Sequence, residues 1–170
     1  MRDVAWIALG WLGVIFWTAL GARLVWGHVL PDCAVIVMIF LAVRRHILVV
    51  VTASLVLGYL VGRQAGAPTG LHEFVLAGVA LAAYMVVGHL VAGGALFFGL
   101  AAGVAVAVYH VGLALVETTL GVPVGFSSPW TAALLPSALL TALVAALAHG
   151  PMERIDRLWG QDKTEELGWH

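Results

Sequence analysis

Charged residues are scarce in this chain: they make up 10% of its 170 residues, whereas 62% are hydrophobic. Soluble domains carry about 25% charged residues, so the composition excludes an ordinary soluble domain. The net charge of −1 excludes an extended basic surface, and no nucleic-acid partner is expected. The single cysteine, Cys33, cannot form an intrachain disulfide, and we interpret it as a small apolar residue.

Apolar blocks fill most of the chain, and a membrane crossing requires about 20 such residues. The sequence therefore predicts an all-α integral membrane protein with six transmembrane helices in one bundle. The predicted spans cover residues 4–26, 31–43, 47–62, 71–92, 95–117 and 130–149. A short cytoplasmic tail, 151–170, follows. Within it, the apolar residues of 152–159 have helical spacing, so this segment is either a helix on the membrane surface or a frayed charged tail.

Two of these spans have alternatives. The first resembles a signal peptide, but its apolar stretch from Val4 to Leu20 exceeds the usual length of about 7–15 residues, so we interpret it as retained. The second rises only about 20 Å as a helix, against a hydrocarbon core of about 30 Å. A re-entrant segment would place Arg44 and Arg45 inside the membrane at about 2.5–3.5 kcal/mol each. We therefore favour a short span with arginines that reach the interface.

Basic residues lie almost entirely at the ends of the apolar blocks. If the N-terminus is inside, the six-span order places most of them on the inner side: Arg2, Arg44, Arg45, Arg154, Arg157 and Lys163. The outer side keeps only Arg23 and Arg63. This asymmetry predicts that both termini are cytoplasmic.

Small residues recur at every fourth position in two of the predicted spans. The two rows are Ser54, Gly58 and Gly62, and Ala95, Gly99, Gly103 and Ala107. Such rows let helix backbones approach closely in lipid. They indicate either packing within the chain or contact with another membrane protein.

No catalytic or metal-binding arrangement emerges from the sequence. No two of the seven histidines lie three or four residues apart, and His72-Glu73 lacks the second histidine of a zinc-protease helix. Ser127 and Ser128 lie in a predicted loop, on the opposite membrane face from His149, so no nucleophile–base pair forms. We predict a non-enzymatic protein without metal or cofactor.

Polar residues near the outer side are the remaining candidates. His110, beside Tyr109, lies in the outer half of the fifth span, where an ionisable group is a functional candidate or a neutral histidine bonded to a neighbouring helix. Other groups fall at outer helix ends: Arg23, His28, Asp32, Arg63, His72, Glu73 and Glu117. They could line a pocket, contact a partner or be ordinary interfacial charges.

Four features follow one another between Val29 and Val87. Leu30-Pro31-Asp32 opens a short apolar helix, Arg44-Arg45 closes it, and Gly58 lies in the third helix. The turn at 65–72, which contains Gly70, opens a long fourth helix. This third of the chain resembles the rod-shape-determining protein MreD family. One departure is Gly62, which stands where many members carry an aspartate.

The resemblance implies a non-enzymatic subunit of the bacterial elongasome, which controls cell shape and lateral peptidoglycan synthesis from the cytoplasmic membrane. Implied partners are the bitopic protein MreC and, through it, RodA, a class B transpeptidase and MreB filaments. The family is similar in fold to substrate-binding subunits of energy-coupling-factor vitamin transporters, which supplies the alternative function. Few outer aromatic residues and a short first connection favour the scaffold.

Candidate partner-contact or structural residues on this view are Pro31, Asp32, Arg44, Arg45, Gly58, Gly70, His72, Glu73, Gly99, Gly103 and His110. Asp32 and the Arg44-Arg45 pair are expected to fix the depth of one short helix. They are also expected to offer charged groups to partners on each side of the membrane.

Overall fold

The computed structural model describes residues 2–21, 29–87, 94–121 and 128–158, and confirms an all-α fold. It contains the helices α1 (Arg2–Gly21), α2 (Cys33–Arg44), α3 (Ile47–Ala65), α4 (Leu71–Val87), α5 (Ala95–Thr119) and α6 (Ser128–Leu158). Three of them are long and apolar enough to cross a membrane: α3, α5 and the 133–157 part of α6. The remaining three are shorter apolar helices.

Helix α2 forms the centre of the bundle. All residues from Ala34 to Ala42 are buried, because each of the other five helices packs against it. A helix that is apolar on every face is suited to such a central position. The ring of Phe40 lies 4.7 Å from that of Trp6 on α1 and 6.2 Å from that of Phe98 on α5. Aromatic contacts therefore link the centre to two surrounding helices.

Capping residues set the start of α2 and the end of α3. The Asp32 carboxylate accepts a hydrogen bond from the Val35 amide at 3.0 Å, so Asp32 caps α2, and the helix begins two residues later than the predicted Pro31. Helix α3 continues past the predicted end at 62 to Ala65. There Gly66 adopts a φ of 68°, which terminates the helix in a left-handed conformation.

Two helix pairs pack backbone to backbone through the rows of small residues. A Cβ on Gly58 of α3 would lie 2.6 Å from Glu73 Cα of α4. A Cβ on Gly99 of α5 would lie 2.6 Å from the carbonyl oxygen of Ala142 on α6, and one on Gly103 would lie 3.1 Å from that of Ala138. The structure therefore gives both rows a neighbour within the same chain.

Helix α6 extends beyond the predicted sixth span, 130–149. It runs past residue 149 and through Pro151 to Leu158, so residues 152–158 are neither a separate surface helix nor a frayed tail. The helix continues because its buried face continues: Met152 and Asp156, four residues apart, both face the bundle. Predictions for residues 22–28, 88–93, 122–127 and 159–170 lie outside the described residues.

Candidate functional site

Helix α2 lies parallel to α6 in a fixed register. The backbone N–H of Asp32 donates to the Thr141 hydroxyl at 3.0 Å, and these residues are 109 apart in sequence. At the other end of α2, Arg44 pairs with Glu153, which is also 109 residues away. Equal offsets at both ends mean that the two helices advance together residue for residue. Polar contacts gather at these two ends of α2.

The first group, termed the arginine cluster, comprises Asp3, Trp6, Arg44, Arg45, Glu153 and Asp156. Its centre is the pair Arg45–Asp156, in which the two residues are only 6% and 2% exposed. Arg45 Nε also lies 3.2 Å from an Asp3 oxygen, and the Trp6 indole N–H donates to Asp156 at 3.4 Å. The cluster thus joins the beginning of α1 to the ends of α2 and α6.

Arg44 completes the cluster on its more exposed side. Its guanidinium pairs with Glu153, lies 3.8 Å from Asp156 and stacks over the Phe40 ring at 5.4 Å. His149 Nε2 and Arg157 Nη2 approach the same Glu153 carboxylate at 3.8 Å and 3.5 Å. Buried charges are tolerated only when they are paired in this way.

The arginine cluster changes the interpretation of Arg44 and Arg45. The sequence favoured arginines that reach outward to the membrane interface and offer charge to partners. In the structure both side chains turn inward to carboxylates on α6, because pairing with Asp156 and Glu153 neutralises them within the bundle. Their first role is therefore to hold α2 against α6.

The second group, termed the histidine cluster, comprises Asp32, His72, Tyr109, His110 and Thr141. His72 Nδ1 is hydrogen-bonded to the Tyr109 hydroxyl, and both side chains are buried. The Tyr109 ring centre lies 6.0 Å from that of His72 and 5.5 Å from that of His110. Asp32 lies near both imidazoles.

One proton position in this cluster follows from its contacts. His110 Nδ1 lies 2.9 Å from the carbonyl oxygen of Val106, one turn earlier in α5. A carbonyl oxygen only accepts, so Nδ1 carries a proton and donates it. Nε2 is then the nitrogen that can accept a hydrogen bond.

The histidine cluster lies inside the bundle rather than at its surface. It is separated from the arginine cluster by the 12 residues of α2, or about 18 Å of helix. Tyr109 and Thr141 lie well within α5 and α6, so both helices continue past the cluster. His72, in the first turn of α4, packs 3.3 Å from the position that a Cβ on Gly62 of α3 would occupy. Four helices therefore supply polar groups to one internal region.

Sequence reasoning grouped Asp32 and His72 among outer helix-end residues that could line a pocket, and it considered His110 separately. Thr141 was missed, because a single hydroxyl in an apolar block gives no signal until its partner is known. Tyr109 was noted only as the neighbour of His110.

The other candidates have structural positions. Pro31 is buried, Gly70 adopts a φ of 98° in the α3–α4 turn, and the Glu73 carboxylate accepts the Gly70 N–H at 2.9 Å. Glu117 is half-buried near the end of α5, whereas Arg63 is exposed. Arg23 and His28 lie outside the described residues.

Neither cluster has the composition of a metal centre. Across residues 2–21, 29–87, 94–121 and 128–158, no group of three or more His, Cys, Asp or Glu side chains could hold a metal ion. What the two clusters do chemically is to join helices through ion pairs and hydrogen bonds. Comparison of the chain with protein-family models, curated proteins and solved structures gives no match.

Proposed function

We propose that the chain is a non-enzymatic membrane scaffold subunit of the MreD type, which binds an MreC-like bitopic protein in the bacterial cytoplasmic membrane. RodA, a class B transpeptidase and MreB filaments would be reached through that partner. The observation that carries the proposal is that three residues on which the resemblance to the MreD family rests have defined structural roles in the bundle. Asp32 caps α2, Gly58 admits α4 against α3, and Gly70 forms the turn between them.

The proposal includes a six-span topology with both termini in the cytoplasm. Its support is the arginine cluster, in which Asp3, Arg45 and Asp156 bring the beginning of α1 and the ends of α2 and α6 to one end of the bundle. The excess of basic residues near that end supports a cytoplasmic location for it. A bundle of this kind would be similar to the substrate-binding subunits of energy-coupling-factor transporters.

The outer faces of the long helices fit a membrane position. On α6, one row of leucines at every fourth position is exposed: Leu135, Leu139, Leu143 and Leu147. Lipid or the single transmembrane helix of a bitopic partner can cover such a row, whereas water cannot do so favourably. In contrast, the charged groups at the ends of α2 are engaged within the chain.

The test is affinity purification of the tagged chain from native membranes in mild detergent, with an unrelated six-span protein carrying the same tag as control. Specific recovery of a single-span coiled-coil protein, and rounded cells on depletion of the chain, are expected for the scaffold. Recovery of an ATPase pair with unchanged cell shape would contradict it.

That second outcome is the signature of the alternative function, a substrate-binding subunit of a vitamin transporter. The histidine cluster favours this alternative, since it gathers polar side chains from four helices inside an apolar bundle, as a small-molecule site does. Uptake of a labelled vitamin that depends on the chain would identify it.

A further inference from the structure

The exposed face of α6 is apolar along most of its length and basic at its end. The leucines at every fourth position from Leu135 to Leu147 are exposed, and so are Pro151 and Arg154 further along the helix. Residues seven apart lie within about 20° of each other around an α-helix, so Arg154 continues the row that contains Leu147. Arg157 is exposed beside it, about one turn later. The row of leucines therefore ends in two arginines.

These two arginines lie at one end of the bundle. Gly99 of α5 packs against Ala146 of α6, and Gly103 packs against Ala138, so the two helices are antiparallel. Helix α5 begins at Ala95, which is level with about residue 148 of α6. The last part of α6 extends about two turns past that level, where α2 ends and α1 begins. In a membrane, a segment beyond the apolar helices lies among the lipid headgroups.

Positive charge remains at this surface after the ion pairs of the arginine cluster have formed. Arg44 is paired with Glu153, and Arg157 approaches the same carboxylate at 3.5 Å, so two cations share one negative charge. A guanidinium has five N–H donors, so this contact leaves Arg157 donors for a further acceptor. Together with the exposed Arg154, these donors suit a phosphate group.

The leucines that precede the arginines match the reach of one lipid chain. Leu143 precedes Arg154 by 11 residues, or about 17 Å of helix, and half of the hydrocarbon core of a bilayer is about 15 Å thick. An acyl chain that extends inward from a headgroup at Arg154 therefore lies along Leu147 and Leu143. The same face of α6 thus offers charge to a headgroup and apolar surface to its chain.

We infer that the C-terminal end of α6 binds an anionic phospholipid, with the phosphate at Arg154 and Arg157 and an acyl chain along Leu147 and Leu143. Charge favours a lipid here over the helix of a single-span protein. The cytoplasmic ends of membrane helices are rich in Lys and Arg, so such a helix would bring like charges against the two arginines. This comparison rests on the cytoplasmic location proposed for this end of the bundle, whereas lipid binding itself does not.

The experiment equilibrates the purified full chain in detergent micelles with equal amounts of phosphatidylglycerol and zwitterionic phosphatidylcholine, and native mass spectrometry measures which lipid is retained. The native chain should retain phosphatidylglycerol in preference. The double variant Arg154→Gln with Arg157→Gln should lower the ratio of the two lipids by about fivefold for each arginine removed. Arg63→Gln is the matched control, because Arg63 is exposed at the opposite end of the bundle, and it should keep the native ratio.

The apolar part of the site is tested by Leu143→Ala with Leu147→Ala. This variant should retain less of both lipids at an unchanged ratio, because it loses apolar contact but no charge. Equal retention of the two lipids by the native chain, or a native ratio in the double arginine variant, would overturn the inference. Unchanged retention in the leucine variant would show that no acyl chain lies along this row. Both arginines are exposed, so their variant should fold, and Arg154→Gln alone replaces it if it does not.

Recovery of a single-span partner from native membranes is scored separately for the same variants. Loss of that partner from the double arginine variant, with an unchanged lipid ratio, would show that the surface binds a protein and would overturn the inference. Failure to recover such a partner with the native chain would contradict the proposed scaffold function alone, because the lipid measurement uses the purified chain without partners.

Discussion

At the scale of single residues, Asp156 is a buried charge with three partners. It is 2% exposed, pairs with Arg45, approaches Arg44 and accepts the indole N–H of Trp6. Its position near the end of an otherwise apolar helix gave no sign of this, because a sequence shows charge but not depth. Arg157, one residue later, is 72% exposed and contacts only Glu153 among the pairs described.

This contrast gives the first prediction. Asp156→Ala leaves Arg45 buried without its main partner and should lower the free energy of unfolding by about 3–5 kcal/mol. Arg157→Ala removes an exposed pair and should change it by no more than about 1 kcal/mol. Unfolding of both purified variants in the same detergent, followed by circular dichroism, provides the comparison. Equal stabilities would show that the arginine cluster does not hold the helices together.

At the scale of helices, close approach decides which glycines matter. Gly99 faces the α6 backbone, whereas Gly78 on α4 has no atom within 4 Å of its would-be Cβ. Gly99→Leu should therefore destabilise the chain by about 1–3 kcal/mol or more, because the α5 and α6 backbones must separate. Gly78→Leu is the matched control and should be neutral or slightly stabilising in the helix. Similar thermal unfolding midpoints for the two variants would contradict α5–α6 packing through Gly99.

The sequence predicts where the helices lie along the chain, but it does not predict which helices pack against one another. Apolar blocks between polar turns indicated the positions of α2 to α5 to within a few residues, since hydropathy is a property of the chain itself. The continuation of α6 to Leu158 was not predicted, because Pro151 and the charges after it are typical of a helix end, yet Asp156 is drawn into the bundle by Arg45. The convergence of Asp32, His72 and His110 depends on tertiary packing, which spacing along the chain does not encode.

At the scale of the whole molecule, the proposed topology predicts where each end of the bundle lies. A reporter fused after Arg45 or after Arg157 should be active in the cytoplasm, whereas one inserted between Gly66 and Gly70 should be active outside. Each position is compared with the same reporter on a protein of known orientation. External activity after Arg45 would contradict six crossings and would favour a re-entrant second segment.

The shared register of α2 and α6 also has a consequence for the order in which the helices are synthesised and assembled. The carboxylates that neutralise Arg44 and Arg45 stand 109 and 111 residues later in the chain, so a ribosome completes the first, third, fourth and fifth helices before it supplies them. Until then the second helix carries two positive charges that Asp3 alone cannot balance. Synthesis of the last helix therefore completes the placement of the second, and biogenesis of this bundle ends at its centre.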